Sequence, residues 1–184
     1  GCVQINIGAH SIEVQLNTLG AHNMRNALAA SAVALAAGIS LEKIKQGLEA
    51  FAPVNGRMQV KYSDSKHTLI DDSYNANPDS VRAAIDALKQ SVGSSWLVLG
   101  DMGEVGNQGP EFHREVGTYA AEQGIAKLFA LGGQCVFAVN GFDSIKTATG
   151  SSASHFTSVE NLIMKLQEDL RTHLTDGSQH LNIL

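Results

Sequence analysis

The sequence predicts an α/β protein whose main part is a mostly parallel sheet, preceded by a smaller unit of one hairpin and two helices. From residue 68 onwards, short apolar runs alternate with amphipathic segments of helical length, as in parallel strands joined by helices. The run Trp96–Leu99 is apolar throughout, which is typical of a strand covered on both faces. Hydrophobic residues make up 43% of the 184-residue chain, which is enough for such a core.

The first unit begins with two segments in which apolar and polar residues alternate. Cys2–Ile7 and Ser11–Leu16 predict a β-hairpin that turns at Gly8–His10. A helix is predicted over Asn23–Ala37, and Gly38 ends it. Its predicted buried face consists of Met24, Leu28, Ala32 and Leu35.

A second helix is predicted after its N-cap, Ser40. Its apolar stripe consists of Leu41, Ile44, Leu48 and Phe51. The stretch Ala52–Gly56 has no periodicity and has the residues of a linker. We therefore predict a domain boundary here, which separates residues 1–52 from residues 53–184.

The second unit alternates strand and helix to the end of the chain. Strands are predicted at Thr68–Asp71, Trp96–Leu99, Lys127–Leu131 and from Leu181. Helices are predicted from Pro78 with Asn77 as cap, over Pro110–Gln123, from after Gly133 to Val139, and after a capping box of Thr157 and Glu160. The predicted buried faces are Val81, Ala84, Ile85 and Leu88 in the first of these helices, and Val159, Ile163, Leu166 and Leu170 in the last. Residues 142–152 fit no clear pattern.

Composition and charge narrow the function classes. Lys and Arg number 13 against 18 Asp and Glu, for a net charge of -5 and no basic stripe, which argues against nucleic-acid binding. The apolar run Ala27–Ala37 is far shorter than the roughly 20 residues that span a bilayer, and no signal-like segment opens the chain. Cys2 and Cys135 indicate neither a disulfide framework nor a metal site. We expect a cytoplasmic protein without membrane insertion. Because the chain begins in what resembles mid-strand, we also expect a piece of a longer one.

Polar residues crowd the start of the first long helix. His22, Asn23 and Asn26 lie three or four residues apart and share one helical end. Free backbone N–H groups and the positive end of the helix dipole favour a nucleotide there, and Asn amides can pair with a base edge. The alternative is that Asn23 only caps the helix while His22 and Asn26 are merely exposed.

An arginine follows a glycine in the predicted linker. The planar guanidinium of Arg57 suits phosphate oxygens, and Gly56 lets the backbone approach a ligand closely. The alternative is that Arg57 is a solvated linker residue.

The segment Ile70–Ser80 joins a predicted strand end to a helix start. Ligands of parallel sheets bind at the carboxyl ends of strands, where a carboxylate such as Asp72 can accept ribose hydroxyls and Tyr74 can lie on a base. The competing interpretation is a helix start capped by Asn77, with turn residues around it. Two adjacent aspartates, Asp71 and Asp72, at a strand end favour the functional interpretation.

The segment Leu99–Gly106 follows the next predicted strand. Its glycines permit close approach to a ligand, but their spacing differs from the Gly-x-Gly-x-x-Gly of dinucleotide-binding proteins. His113, on the following helix, is interpreted as a surface residue.

Taken together and in this order, the four segments resemble the Mur ligase family. The residues that carry the resemblance are Gly20–Asn26 with the alanine-rich helix, Gly56-Arg57, Asp71–Ser80, and Leu99–Gly106 with His113. The string Asp71–Pro78 is most similar to the member that joins D-alanyl-D-alanine to UDP-N-acetylmuramoyl-tripeptide in peptidoglycan synthesis. The resemblance implies a Rossmann-like C-terminal domain for residues 53–184, and the end of a central ATP-binding domain for residues 1–52.

The resemblance also implies a reaction. Members of the family use ATP and Mg2+ to phosphorylate a carboxylate, and the incoming amine attacks the acyl phosphate. Arg57 is implied to be catalytic, by reaching the ATP phosphates on domain closure. The implied ATP-binding residues are His22, Asn23, Asn26, Arg57, Asp72, Tyr74 and Asn75, with His22 near the phosphates and the metal. The loop that contains Asp101 and Met102 is implied to border the site of the amino substrate.

Some family motifs have no counterpart in this sequence. No Gly-x-x-Gly-Lys-Thr/Ser phosphate loop is present, so we expect the chain alone to be inactive. We expect the Mg2+ ligands and the site for UDP-N-acetylmuramoyl-tripeptide to lie mostly outside the chain. Two alternatives remain open: another amide ligase of the folylpolyglutamate or cyanophycin synthetase type, and a non-catalytic nucleotide-binding module.

Overall fold

The computed structural model describes residues 2–7, 10–17, 21–52, 54–145, 150–175 and 179–184. The strands are β1 Cys2–Ile7, β2 His10–Gln15, β3 Gln59–Ser63, β4 His67–Asp71, β5 Ser94–Gly100, β6 Lys127–Leu131, β7 Ser152–Phe156 and β8 Leu181–Ile183. The helices are α1 Ala21–Ala36, α2 Leu41–Glu49, α3 Pro78–Lys89, α4 Gly109–Glu122, α5 Cys135–Ser144 and α6 Val159–Thr175. A short 3-10 helix, Gly106–Gln108, precedes α4. In the described parts of the chain, no helix is long and apolar enough to cross a membrane.

Within the described residues, six strands form one sheet in the order β3-β4-β8-β5-β6-β7. β3 and β4 pair antiparallel, and all the other neighbours are parallel. β8, last in the sequence, therefore lies in the middle and places the carboxyl ends of β4 and β5 on the same edge. The predicted fold class, a mostly parallel α/β sheet, is confirmed.

The two faces of this sheet have separate cores. Leu97 and Leu99 of β5 pack with residues of α3, α4 and α5 on one face. On the other face, Trp96 and Phe129 pack with Leu162 of α6. Successive side chains of a strand point to opposite faces, so the unbroken apolar run in β5 serves both cores.

The first unit has its own small core. β1 and β2 form the predicted antiparallel hairpin, although turn residues 8–9 lie outside the described residues. Ile5, Val14 and Leu16 pack with Ala27 of α1, and Leu48 of α2 lies against this cluster. Phe51, which was predicted to extend the stripe of α2, follows the helix and is exposed.

The prediction for the buried face of α1 is wrong. Met24 and Leu28 are exposed, whereas Ala27 and Ser31 are buried. The Ser31 hydroxyl donates a hydrogen bond of 2.7 Å to the Ala27 carbonyl, which satisfies the buried polar group. From Ala27 onwards α1 is apolar on nearly every side, so its hydrophobic pattern does not single out one buried face and cannot predict a buried serine.

The predicted capping box at the start of α6 is also wrong. The helix begins at Val159, and the Ser158 hydroxyl accepts a hydrogen bond of 3.2 Å from the Asn161 N–H. The cap is therefore Ser158 and not Thr157. Both residues are common caps, and the sequence alone did not distinguish them.

The predicted apolar face of α6 is half right, because Leu166 and Leu170 pack against the core as predicted. Val159 and Ile163 are exposed, whereas Leu162 and Asp169 are buried. Asp169 can be buried because its carboxylate pairs with the ammonium group of Lys127 at 2.9 Å. A hydrophobic pattern cannot anticipate a buried ion pair, so it favoured the neighbouring apolar positions.

The sequence missed two strands, β3 and β7, and both lie at edges of the sheet. β3 is mostly exposed, and β7 lies partly within the stretch that fitted no pattern. Edge strands are covered less than central ones, so their hydrophobic signal is weaker. The helix predicted to end at Val139 continues to Ser144.

Candidate functional site

A cavity of about 410 Å³ opens between α1 and the loop that follows β4. Its lining includes six of the residues predicted from the sequence: Asn23, Asn26, Arg57, Asp72, Tyr74 and Asn75. The seventh, His22, has its backbone in α1, but its side chain lies outside the described residues. Residues 50 positions apart in sequence are thus brought to one place.

Helix contacts create this arrangement. α1 contacts α3, and Asn23 and Asn26 of α1 line the same cavity as Asp72, which directly follows β4. Because α1 begins at Ala21, Asn23 lies in its first turn and is not the N-cap. The alternative in which Asn23 serves only as a cap is therefore wrong.

The predicted linker forms a tight turn at Gly56–Met58. Gly56 has φ +72°, and Met58, which is buried, has φ +45°. A Cβ atom on Gly56 would lie 2.8 Å from the Tyr74 backbone nitrogen, which is closer than side chains tolerate. Glycine is thus required at position 56 both by conformation and by the approach of the next loop.

Three contacts join this turn to the loop after β4. The Tyr74 N–H donates to the Gly56 carbonyl at 3.0 Å, and the Met58 N–H donates to Asp72 Oδ1 at 2.9 Å. The guanidinium carbon of Arg57 lies 4.2 Å from the centre of the Tyr74 ring, a cation–π contact. Arg57 is therefore placed on an aromatic ring beside the cavity and is not simply a solvated linker residue.

The two adjacent aspartates have different environments. Asp71 Oδ1 accepts hydrogen bonds from the Ser73 hydroxyl at 2.6 Å and the Ser73 N–H at 3.0 Å. These bonds, from the hydroxyl first and then the backbone, hold the pKa of the Asp71 carboxyl below its usual range. Asp71 thus stabilises its own turn, whereas Asp72 lines the cavity of 410 Å³.

The predicted start of α3 is confirmed. The Asn77 side chain accepts a hydrogen bond of 2.8 Å from the Ser80 N–H, and the Ser80 hydroxyl completes a capping box. Pro78 occupies the first turn, as expected. The helix face Val81, Ala84, Ile85 and Leu88 is buried, as predicted. Asn77 therefore has a structural explanation.

The loop after β5 is held by its own aspartate. Asp101 Oδ1 accepts backbone N–H groups from Gln134 at 3.0 Å and Cys135 at 2.9 Å, at the start of α5. Gly132 has φ +124°, and a Cβ there would lie 2.4 Å from the Asp101 carboxyl carbon. A carboxylate at a helix N-terminus is favourable electrostatically, so Asp101 has a structural role.

The interpretation of His113 as a surface residue is wrong, since its side chain is fully buried. Its Nε2 accepts a 2.9 Å hydrogen bond from the Met102 N–H, and its Nδ1–H donates to the Gly109 carbonyl at 2.7 Å. These partners require a neutral imidazole, so the 3.9 Å separation from Asp101 is not an ion pair. The signal was available in the sequence, since His113 precedes the buried Val116 and Ala120 at helical spacing.

Met102 and Asp101 are placed differently from each other. The Met102 side chain belongs to the main core and does not line a described cavity. Asp101 borders a second cavity, of about 730 Å³, at the carboxyl edge of the sheet. Of the two residues predicted to face the amino substrate, only Asp101 is in a position to contact a ligand there.

One group of side chains in the described residues has the spacing of a metal site: Asp101, His113 and Cys135, whose ligand atoms lie within 4.8 Å of one another. Each is already engaged, however, and His113 Nε2 would have to release the Met102 N–H. Burial, and then the charge of Asp101, raises the pKa of the Cys135 thiol, which disfavours the thiolate that a metal needs. We therefore assign no metal to this group.

Residues 56–175 match the family described as "Mur ligase, glutamate ligase domain". The UDP-N-acetylmuramoyl-tripeptide--D-alanyl-D-alanine ligase of Escherichia coli is 36% identical over 174 residues, which cover 92% of this chain and 37% of that protein. The ligase of the same name from Mycobacterium tuberculosis is 39% identical over 147 residues, which cover 76% of this chain and 29% of that protein. The matched part of the chain thus covers only about a third of the length of these curated relatives.

Solved structures give the same result. A crystal structure of MurF from Acinetobacter baumannii superposes with a TM-score of 0.84 and 32% identity, covering 99% of this chain and 38% of that one. MurF from Thermotoga maritima, in complex with ADP, has a TM-score of 0.76, covering 100% of this chain and 39% of that one. Because the two sequences are only 19% identical, this match shows a similar fold and nothing more.

Proposed function

Because the chain belongs to the Mur ligase family, we propose that it is the C-terminal part of a ligase that uses ATP to join D-alanyl-D-alanine to UDP-N-acetylmuramoyl-tripeptide. The names of its curated relatives support this choice of substrates. We place such an enzyme, which acts on a nucleotide-linked precursor, in the cytoplasm.

The observation that carries the proposal is the convergence of Asn23, Asn26, Arg57, Asp72, Tyr74 and Asn75 on one cavity. A ring, a guanidinium, a carboxylate and amides are the groups that bind a base, phosphates and a ribose. Tyr74 and Asn75 would flank the base, Asp72 would hold the ribose, and Arg57 would reach the phosphates. His22 would lie near the phosphates.

The amino substrate would bind at the larger cavity, beside Asp101. Its amine enters as an ammonium group, and Asp101 supplies a half-exposed carboxylate at that edge of the sheet. Met102 would act only indirectly, through the core packing that fixes the loop. When the domains close, this chain would thus orient the amine towards the activated carboxylate.

ATP supplies the phosphoryl group that activates the carboxylate, and the residues of the 410 Å³ cavity fit a nucleotide. For Mg2+ the fit is poor, because the one metal-like group among the described residues includes a buried thiol and an engaged histidine. Magnesium prefers oxygen ligands. We therefore propose that the Mg2+ ligands lie in the rest of the ligase, and that this chain alone is inactive.

We propose a two-domain organisation with the boundary near residue 52. The first unit has a separate core, and the family match begins at Gly56. Met24 and Leu28 remain exposed on α1, which suits a helix that packs against the rest of a central domain. Residues 1–52 would then belong to the central ATP-binding domain, and residues 53–184 to the C-terminal domain.

Phosphate release tests this function. The longer ligase should release phosphate only when ATP, the UDP-linked tripeptide and D-alanyl-D-alanine are all present, whereas the 184-residue chain should give none. Arg57→Lys in the longer ligase should lower turnover, because lysine keeps the charge but loses the planar fork. Arg25→Lys, an exposed substitution on α1 outside the cavity lining, should change nothing. Full turnover in Arg57→Lys would contradict the assigned role.

A further inference from the structure

The turn at Gly56–Met58, which contains Arg57, has an unusual backbone conformation. Residues on both sides of Arg57 have left-handed backbone conformations, and Met58 pays a steric cost that glycine would not. The Met58 side chain is nevertheless buried, in a cluster with Ile70 of β4 and Ala84 of α3. The turn is therefore anchored in the core of the second unit.

Asp72 supplies the polar part of this anchor. Its Oδ1 accepts the Met58 N–H at 2.9 Å, outside the ladder of β3 and β4, which begins at Gln59. A carboxylate gives a stronger hydrogen bond than a neutral acceptor. Asp72 thus stabilises the residue whose conformation is the least favourable in the turn.

Tyr74 holds the other two residues of the turn. Its N–H donates to the Gly56 carbonyl at 3.0 Å, and its ring lies under the Arg57 guanidinium. One short loop therefore contacts each of the three consecutive residues Gly56, Arg57 and Met58. The preceding described residues, 50–52 and 54–55, are all exposed.

We infer that Asp72 and Tyr74 are positioning residues for Arg57, and that the Gly56–Met58 turn belongs to the second unit, so that the joint between the two units lies before Gly56. The Gly56–Met58 turn then moves with the loop after β4 as one body. The guanidinium is oriented before the ligand arrives, which reduces the entropy that must be lost on binding. The functional part of this inference rests on the proposed nucleotide site, but the positioning part does not.

The positioning part is tested on the 184-residue chain by NMR. Asp72→Ala should speed hydrogen exchange of the Met58 amide roughly tenfold or more, because its acceptor is lost. It should also shift the Arg57 Hε resonance, because the Arg57 guanidinium lies over the Tyr74 ring. Asp72→Asn keeps an acceptor oxygen and should restore most of the protection. Asp71→Ala is the matched control, since Asp71 bonds Ser73 instead, and it should leave both signals unchanged.

Unchanged Met58 exchange and an unchanged Arg57 resonance in Asp72→Ala would overturn the positioning. A chain that fails to fold would be recognised from its spectrum, and Asp72→Asn then supplies the result. The expected result for Asp72→Asn is a protected Met58 amide and an Arg57 resonance close to wild type. If Asp72→Asn folds and its Met58 amide exchanges as fast as an unstructured amide while the Arg57 resonance stays at its wild-type position, the hydrogen bond does not position Arg57 and the proposal is overturned.

The functional part is tested in the longer ligase with a double-mutant cycle. At saturating ATP, where a direct contact of Asp72 with the ribose affects KM and not kcat, Asp72→Ala should lower kcat several-fold in the wild type but by less than twofold in an Arg57→Lys background. Independent, multiplying losses would contradict the coupling. If neither variant changes any ATP-dependent parameter while the NMR result holds, the proposed nucleotide site fails and the positioning remains.

Discussion

The loops after β4 and β5 occupy equivalent places, at the carboxyl ends of strands on the same edge, and both carry aspartates beside small residues. Their polar groups are used in opposite ways. The loop after β4 lines a cavity with Asp72, Tyr74 and Asn75, whereas in the loop after β5 Asp101 caps α5. The two carboxylates thus differ in how many backbone N–H groups they already bind: Asp72 Oδ1 accepts one, from Met58, whereas Asp101 Oδ1 accepts two, at the start of α5.

The largest effect should come from the loop after β5, through His113→Ala. This change removes the acceptor of the buried Met102 N–H and leaves a cavity in the core. We expect a loss of about 3 kcal/mol in the free energy of unfolding, measured by urea denaturation of the chain. Glu115→Ala, on the exposed side of α4, removes only a surface ion pair with Arg82 and should cost less than about 1 kcal/mol. Similar costs for the two variants would mean that the buried imidazole does not hold the loop.

Gly56→Ala should have the next largest effect, in the loop after β4. Alanine would need a left-handed conformation and would press on the Tyr74 backbone. We expect a loss of roughly 1–3 kcal/mol in the free energy of unfolding and displacement of Arg57 from the Tyr74 ring. Thermal melting measures the first effect, and the Arg57 NMR signal measures the second. Gly103 of the other loop has open space around its Cβ position and no positive φ, so Gly103→Ala should stay within about 0.5 kcal/mol.

Thiol labelling should report the difference in burial between the two cysteines. Cys2 is exposed and Cys135, beside Asp101, is buried with a raised pKa. Iodoacetamide should therefore modify the native chain at Cys2 at least about tenfold faster. Cys2→Ser should abolish the fast phase. In His113→Ala, Cys135 should become more reactive, and continued protection there would show that the loop stays closed without the imidazole.

The smallest effect concerns the pH dependence of Asp71. Its folded pKa is lowered by hydrogen bonds from Ser73, so its contribution to stability is present above the ordinary aspartate pKa. That contribution is lost as the pH falls through the lowered folded pKa. Ser73→Ala should raise the Asp71 pKa towards its usual value and weaken this acid dependence. The Asp71 pKa is measured from the NMR chemical shift of its carboxyl carbon, recorded from neutral to acidic pH. An unchanged pKa in Ser73→Ala would mean that another partner lowers the pKa of Asp71.

The sequence predicted the fold well where the pattern of apolar residues arises from burial in the core alone. The strand Lys127–Leu131 and the buried face of α3 agree with the prediction, because central strands and amphipathic helices have strong patterns. It failed where a polar side chain is buried, as at Asp169 and His113, and in α1, which is apolar on nearly every side from Ala27 onwards. Such positions depend on tertiary partners, which a local pattern does not contain.

For the candidate site, the sequence named the residues but not their arrangement. Asp72 and Tyr74 follow a strand end, which is a recognisable place for a ligand. Their contacts with Gly56–Met58 required the turn conformation, and the burial of Met102 required the packing of α4 against the loop. Neither follows from spacing along the chain.

The central claim, that a nucleotide meets the loop after β4 and not the loop after β5, is tested most directly by titrating ADP into the labelled 184-residue chain. We predict amide shifts at Asn23, Asn26, Arg57, Tyr74 and Asn75, with the Met102 and His113 amides unchanged, and a weaker response in Asp72→Ala. Shifts confined to the loop after β5, or no shift anywhere in the 410 Å³ cavity at saturating ADP, would contradict the account.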